Sequence, residues 1–481
     1  VVLEKLRVLQ AAPDAPAQEP AFQGPLHFSA ALAPKRLYID TFGCQMNEHD
    51  SQRMVSLMAG EGYVPTESPD DADLVILNSC SVREKAEQKL RSRAGQIKHA
   101  KRARPSMILA LGGCVAQQEG DALLKRIDHA DIVFGPDHIA RLPDLVRRVE
   151  EERVRLHETR FLSREEYRFP GLSDGGPAPV SSFVNVMKGC DKFCSFCIVP
   201  FTRGREVSRP ASEILAEVEA LAAAGAREVV LLGQTVNSYG RRKKDGHIPF
   251  HELLHRVAEV PGVERIRFTS PHPGDFSDEQ IAAFRDLPKL CPHMHLPVQS
   301  GSSRVLGAMR RGYTREEYLA VVDRLAEIAP QVALTTDIIV GFPSETEAEF
   351  EETLSLVERV RFQGAFSFAY SERVGTRALA IEPAVPLEER FRRLRVLQAL
   401  QDGITKQWLT SMVGQRFTVM IEGPSKSDPS RSTGRTGQNR PVHVDGHFAP
   451  GTLLEVDIIE AYNHSLLGRP SLPAGSAPAQ A

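Results

Sequence analysis

From Arg36 onward, short apolar runs alternate with longer stretches in which apolar residues recur three and four positions apart, the rhythm of strands alternating with helices. Residues 37–42, 74–77, 107–111 and 132–134 read as four buried strands. The first is followed by a helix carrying Met54, Val55, Leu57 and Met58 on its inner face, with Asn47 as its expected N-cap. A cationic helix is expected over 91–104, and another carries Leu142, Leu145, Val146 and Val149. This alternation predicts an α/β fold with an open parallel sheet over 35–150. Residues 1–34, rich in Ala, Pro and Gln, cannot bury a core and are expected to form a disordered tail. Residues 151–175 are expected to be a linker, running into a Pro/Gly-rich passage between Phe169 and Pro179. A second α/β unit occupies 176–410, with strands expected at 183–187, 228–232, 264–268, 293–296, 332–340 and 364–369. Each ends in a loop of polar or small residues, which suggests a partial (βα)6 barrel closed by helix 387–410. From 411 to 472 the pattern shifts to short strands at 417–421 and 453–458 with turn-rich sequence between, the mark of a small β-barrel, followed by a tail over 473–481.

Two sets of cysteines change this picture from architecture to chemistry. Cys190, Cys194 and Cys197 are separated by three and then two residues, so one loop can wrap three thiolates around a single centre. Zinc normally takes a fourth protein ligand, and the nearest histidines, His157 and His247, are far along the chain. A cubane 4Fe–4S cluster accommodates three cysteines, leaving one iron open to a ligand. Cys44, Cys80 and Cys114 each lie one to three residues past the carboxyl end of an expected strand. Open parallel sheets place their ligands at that edge, so three cysteines distant in sequence are expected to meet there and hold a second cluster. Core cysteines that happen to follow strands are the competing reading, and it weakens beside the first set.

The strand-end loops of the barrel supply Gln234, Asn237, Ser270, Gln299 and Asp337, hydrogen-bonding groups suited to ribose hydroxyls, an amino-acid headgroup and an adenine edge. His272, His293 and His295 read as pocket or structural residues, and Cys291 as structural. Arg203 and Arg205 flank the cysteine loop, where contact with phosphate is expected. The cations of helix 91–104 and of 241–244 read as solvated faces first. Near the carboxyl terminus Lys426, Arg431, Arg435 and Arg440 gather around Gly434 and Gly437, opposed within that stretch by Asp428 alone, a basic rim suited to an RNA backbone.

Composition narrows the setting. Hydrophobic content of 42% and charge of 25% describe an ordinary globular chain. A net charge of −3 gives no global attraction to nucleic acid, so any such surface must be local. Seven cysteines, not spread as a disulfide framework, favour a reducing compartment and metal ligation. No apolar run approaches the roughly 20 residues of a membrane span, and no signal-peptide pattern is present. A cytoplasmic monomer without membrane association is expected.

Residues 187–205, with the three closely spaced cysteines, resemble the signature of the radical S-adenosylmethionine (SAM) enzymes, and in particular their methylthiotransferase branch. Thr41-Phe42-Gly43-Cys44-Gln45-Met46-Asn47 is similar to that branch's amino-terminal signature, and residues 233–239 and 296–302 match it as well. The carboxyl-terminal segment resembles the TRAM domain, an RNA-binding module of tRNA-modifying enzymes. The resemblance spans about residues 35 to 470. It implies that SAM chelates the open iron of the Cys190/Cys194/Cys197 cluster, with Phe196 beside the adenine. It also implies that an auxiliary 4Fe–4S cluster on Cys44, Cys80 and Cys114 holds the sulfur to be transferred. Gln45-Met46-Asn47 resembles the members that act on tRNA bearing N6-isopentenyladenosine at position 37 of the anticodon stem-loop. For those, SAM serves both as methyl donor and as source of a 5′-deoxyadenosyl radical, and a 2-methylthio group is installed. A sulfur donor and a reductant such as a flavodoxin-type protein are the implied partners. Two alternatives stay open: a methylthiotransferase for another substrate (threonylcarbamoyladenosine tRNA or a ribosomal protein), and a non-catalytic iron–sulfur RNA-binding regulator.

Overall fold

The computed structural model describes residues 34–81, 84–171, 176–241, 248–426 and 428–471. The expected tails, and Arg242, Lys243 and Lys244 of the basic loop, lie outside the described residues.

The first layer runs β1 (Lys35–Phe42), α1 (Gln45–Ala59), β2 (Tyr63–Pro65), β3 (Leu74–Ser79), α2 (Glu84–Ala103), β4 (Ile108–Gly113), α3 (Cys114–Glu119), α4 (Asp121–Arg126), β5 (Ile132–Phe134), α5 (Leu142–Glu152) and β6 (Leu156–Glu158). Its sheet is parallel throughout, in the order β2-β1-β3-β4-β5-β6. Alternate residues of the central strands feed two cores: Leu74, Ile76, Ile108 and Ala110 pack with α1 and α5 residues, while Val75, Leu77, Leu109 and Leu111 pack with α2 residues. Burial on both faces explains why these strands read as unbroken apolar runs. Three expectations change. Helix α1 begins at Gln45 with Cys44 at its N-cap, so Asn47 lies inside the first turn. Helix α2 starts at Glu84, a turn or more before the expected 91. The expected linker contains β6, which adds to the sheet beside β5; three residues with only Leu156 buried carry no periodicity to read.

The second layer runs β7 (Ser181–Asn185), β8 (Met187–Lys188), α6 (Val199–Thr202), β9 (Val207–Ser208), α7 (Ala211–Ala223), β10 (Glu228–Leu232), α8 (Phe250–Glu259), β11 (Arg265–Phe268), α9 (Asp278–Asp286), β12 (His293–His295), α10 (Ser303–Ala308), α11 (Arg315–Ile328), β13 (Ala333–Val340), α12 (Glu347–Val360), β14 (Gly364–Ala369) and α13 (Leu387–Ser411). Two parallel three-stranded sheets, β11-β10-β7 and β12-β13-β14, are joined by a bridge between Ile266 and Leu290, giving the expected incomplete six-stranded barrel. Val229, Leu231, Ile266, Ile338 and Val340 face the helices and form the core. The expected strand 183–187 breaks at Asn185, and Met187-Lys188 instead pairs antiparallel with Val207-Ser208, closing the base of the cysteine loop.

The third layer is a closed barrel of β15 (Arg416–Pro424), β16 (Arg431–Thr436), β17 (Pro441–Asp445), β18 (Leu453–Ala461) and β19 (Leu466–Pro470), in the order β15-β16-β17-β19-β18. Val419, Ile421, Val442, Val444, Val456, Ile458 and Leu466 fill it. It rests on the amino ends of the βα-barrel strands. Arg265 donates to the carbonyls of Thr418 (2.8 Å) and Arg435 (2.7 Å), and Arg267 to those of Thr436 (3.0 Å) and Gly437 (2.9 Å). The carboxyl ends, where barrel sites are built, are left to other chemistry.

Candidate metal and cofactor centre

The loop after β7 is held by close backbone contact. Gly189 has a φ of 73°, and a Cβ there would overlap the Arg205 carbonyl, so only glycine lets the cysteine loop close on its return strand. Cys190 Sγ accepts from the Lys192 amide at 3.3 Å and lies 3.1 Å from Thr235 Oγ1. Cys194 Sγ accepts from Arg311 Nη1 at 3.3 Å. Ser195 pins the loop through its amide to the Met309 carbonyl (2.9 Å) and its hydroxyl to the Ala308 carbonyl (2.8 Å). Burial, then the neighbouring Cys194 and Cys190 sulfurs, push the Cys197 thiol up to about 12. A metal that takes these sulfurs as thiolates must therefore displace protons.

The second set gathers where the topology puts it. β1, β3 and β4 are neighbours, and Cys44, Cys80 and Cys114 each follow one of them. Gly43 leaves no room for a Cβ against Cys80. Asn47 accepts from Cys44 Sγ at 3.3 Å and donates to Asn78 Oδ1 at 3.0 Å, while Asn78 Nδ2 donates to the Asn47 carbonyl at 2.8 Å. A hydrogen bond with Cys80, aided by the charge of Arg203, draws the Cys44 thiol down to about 6 against the opposing effect of burial. Burial raises Cys114, which Arg203 also contacts. The expectation that Arg203 meets phosphate is thereby corrected. Its side chain is 6% exposed, pairs with Asp50 at 2.6 Å and lies beside two of the cysteines. Arg205 does face outward, over the Phe193 ring and paired with Asp191.

Part of the second set lies against the βα barrel. Cys44 and Met46 pack with Phe183, Val230 and Leu232, which line the βα barrel. Buried ion pairs sew the layers together around this contact: Lys188 with Asp137, Arg203 with Asp50, and Glu217 with both Arg53 and Arg209. Around the barrel loop, both amide atoms of Gln234 are buried without a partner, which fits a polar ligand presented there. Asn237 differs from expectation: it accepts from the His272 amide (2.8 Å) and donates to the His272 carbonyl (3.0 Å), so its amide is spent on holding that loop. Ser270 (φ 59°) is exposed at its strand end, and Gln299 (φ 74°) is buried at its own. Asp337 Oδ1 lies 3.4 Å from His295 Nε2, and Phe196 packs with Val305, Met309, Phe342 and Tyr370. Among the described residues no three His, Cys, Asp or Glu side chains converge on a single metal ion. A cubane asks for something else, three sulfurs spread around separate irons, and each cysteine set has that composition.

Comparison with known proteins agrees in order and extent. The family described as "Uncharacterized protein family UPF0004" matches residues 36–135, the radical SAM superfamily 184–357 and the TRAM domain 410–470. A protein of Myxococcus xanthus named tRNA-2-methylthio-N(6)-dimethylallyladenosine synthase is 52% identical over 90% of this chain and 94% of its own length. One of the same name from Anaeromyxobacter sp. (strain K) is 50% identical over 93% of this chain and 97% of its own. The chain belongs to this methylthiotransferase family of radical SAM enzymes. Its fold is also similar to that of the radical SAM methyltransferase TsrM from Kitasatospora setae, with a TM-score of 0.51 over 81% of this chain and 78% of that one, at 13% identity.

In this methylthiotransferase the basic rim of the TRAM barrel is less free than its sequence suggested. Arg431 pairs with Asp445 at 2.9 Å and Arg435 with Glu422 at 2.9 Å, partners brought across the strands by the fold. Arg440 is turned inward, donating to the Gln363 carbonyl of the βα barrel. The cations of α2 likewise pair with carboxylates, Arg93 with Asp40 and Lys98 with Asp128, in line with a solvated face. The methylthiotransferase also uses residues that sequence reasoning passed over: Thr235 and Arg311 at the barrel cysteines, Asp50 behind Arg203, and the Lys188–Asp137 pair. Only Lys188 carried a signal, a lysine inside an apolar strand. Among the described residues no helix is long and apolar enough to cross a membrane.

Proposed function

We propose that this methylthiotransferase converts N6-isopentenyladenosine at position 37 of tRNA to its 2-methylthio derivative. In this reading Cys190, Cys194 and Cys197 hold a SAM-binding 4Fe–4S cluster, and Cys44, Cys80 and Cys114 an auxiliary one. The observation that supports it is the packing of Cys44 on Phe183, Val230 and Leu232, residues of the barrel whose first loop bears the other three cysteines. The names of the Myxococcus and Anaeromyxobacter relatives and the TRAM match support the substrate. When bound, the clusters and SAM would supply the radical that takes hydrogen from adenine carbon 2 and the sulfur and methyl group that replace it, chemistry beyond side-chain acids and bases.

The chain's own residues act by placement. Gln234 offers a donor and an acceptor to SAM, and Gln299, Ser270 and Asp337 complete a polar edge at the strand ends. Phe196 gives SAM's adenine an apolar wall. Arg203 holds Cys114 and Cys44 from the barrel side, so the auxiliary centre and the barrel move as one body. Exposed Arg205 meets the RNA backbone, and Arg431 and Arg435 do so by exchanging a carboxylate for a phosphate. To reach the adenine the enzyme extrudes it from the anticodon stack.

The test is nucleoside mass spectrometry of tRNA that carries isopentenyladenosine, incubated anaerobically with reconstituted protein, SAM, sulfide and dithionite. The proposal expects 2-methylthio-isopentenyladenosine, absent with Cys44→Ala or Cys194→Ala. Formation of 5′-deoxyadenosine with unmodified tRNA would leave the radical chemistry and reject the substrate.

A further inference from the structure

Arg311 lies in the turn after α10 and is 8% exposed. Its Nη1 donates to Cys194 Sγ at 3.3 Å, its Nη2 to the Pro297 carbonyl at 3.3 Å and its Nε to the Tyr313 hydroxyl at 3.0 Å. Its guanidinium also rests 5.3 Å from the centroid of the Tyr313 ring. Among the described residues it forms no ion pair with Asp or Glu, and its charge is felt by Tyr313 and Cys194 instead. Arg53, Arg203, Arg209, Arg267 and Arg393, all buried, each have a carboxylate. Arg265 lacks one too, yet gives its outer nitrogens to main-chain carbonyls, whereas Arg311 aims one at sulfur. The nearby His272 ring, held neutral by burial and by the Arg311 charge, adds no second positive charge there. An arginine cannot shed its proton, and a charge buried without a partner is strongly unfavourable.

We propose that the missing partner is the iron–sulfur cluster itself, and that Arg311 is the fixed counter-charge that holds it and makes it easier to reduce. This rests on the assignment of that cluster to Cys190, Cys194 and Cys197. Three thiolates outweigh the charge of an oxidised cubane core, so the complex is anionic. The electron it accepts from an external reductant adds one further negative charge. A guanidinium that donates to a ligand sulfur favours the more anionic state through its charge and through its hydrogen bond. The auxiliary set stands apart, because Asp50 already neutralises Arg203 there.

The test is a redox titration followed by electron paramagnetic resonance, without SAM, with dithionite as reductant. Cys44, Cys80 and Cys114 are all replaced by Ala so that one cluster remains. Arg311→Gln keeps a donor and drops the charge; Arg311→Lys keeps the charge. For Arg311→Gln we expect the reduced-to-oxidised ratio at fixed potential to fall on the order of tenfold, about 59 mV for a one-electron couple, with Arg311→Lys close to the parent. A folded Arg311→Gln that loses iron which Arg311→Lys retains supports the same role. Equal potentials in all three overturn it. So does weaker SAM binding with an unmoved potential, which would give the guanidinium to SAM's carboxylate. Should Arg311→Gln not fold, pulsed resonance on parent protein grown with isotopically labelled arginine decides. Coupling of an arginine nitrogen to the reduced cluster is expected, and its absence overturns the proposal. A parent that binds no iron in this background would instead reject the cluster assignment, and the inference with it.

Discussion

Glu217→Gln is the sharpest test of how the two α/β layers are held. Glu217, on α7, accepts from Arg53 of α1 and from Arg209, and the side chains of the three are 4%, 3% and 8% exposed. The substitution leaves two buried guanidiniums around a neutral amide. Arg53 gains no relief locally: its Nε already donates to His49, which burial holds neutral, and its Nη1 has no partner. Arg209 keeps Glu213 at 3.3 Å, but that carboxylate is 54% exposed and screened. Breaking a buried pair costs about 3–5 kcal/mol, and the survival of Glu213 puts the expectation at about 3. Because Arg53 and Glu217 belong to different layers, the cost should fall on their association. In urea the earliest transition should move to lower denaturant, and the segment between β6 and β7 should become open to protease. Replacing Arg53 and Glu217 together by Met should recover at least about 1 kcal/mol, since no charge of that pair is then left alone. A Glu217→Gln protein within about 0.5 kcal/mol of the parent, the range of ordinary surface changes, would show that this buried carboxylate does not hold the layers together.

Three further outcomes are expected. Gln234→Leu should weaken SAM binding to cluster-loaded protein by about 1 kcal/mol while leaving the unfolding midpoint unchanged or raised, because its amide has no protein partner to lose; equilibrium dialysis and a melting curve check both halves. In cluster-free protein, alkylation of Cys44 read by peptide mass spectrometry should rise as pH passes about 6 and then level off, since a lowered pKa keeps the thiolate down to that pH. With Arg203→Met the rise should come at higher pH, and an unmoved curve would count against the contact. Arg267→Met strands Glu228, whose carboxylate is 2.7 Å away and 7% exposed, so it should cost about 3–5 kcal/mol and free the small barrel to limited proteolysis.

Cysteine positions were legible because they depend on local signals, a strand ending and a thiol following it. Topology then does the rest: β1, β3 and β4 are neighbours whatever the helices between them contain. The arginines were not legible, because their roles are set by partners far away in sequence. Arg203 meets Asp50 from the other layer, and Arg440 meets a carbonyl on the far side of a domain contact. In sequence both sit in basic runs that resemble a nucleic-acid surface. Asn237 was misread for a related reason. A strand-end amide can bind a ligand or fasten the next loop, and only the position of His272 tells which. Strand β6 was missed because three residues hold no periodicity, and β16 because Arg431–Thr436 contains no apolar residue to mark a buried face.

The proposed function requires two separate cubanes, one on each cysteine set. It is tested most directly by iron and sulfide analysis of anaerobically reconstituted protein. Parent protein should hold about eight irons per chain, and about four should remain when either Cys44, Cys80 and Cys114 or Cys190, Cys194 and Cys197 are all replaced by Ala. Loss of every iron on removing one set, or no loss at all, would contradict it.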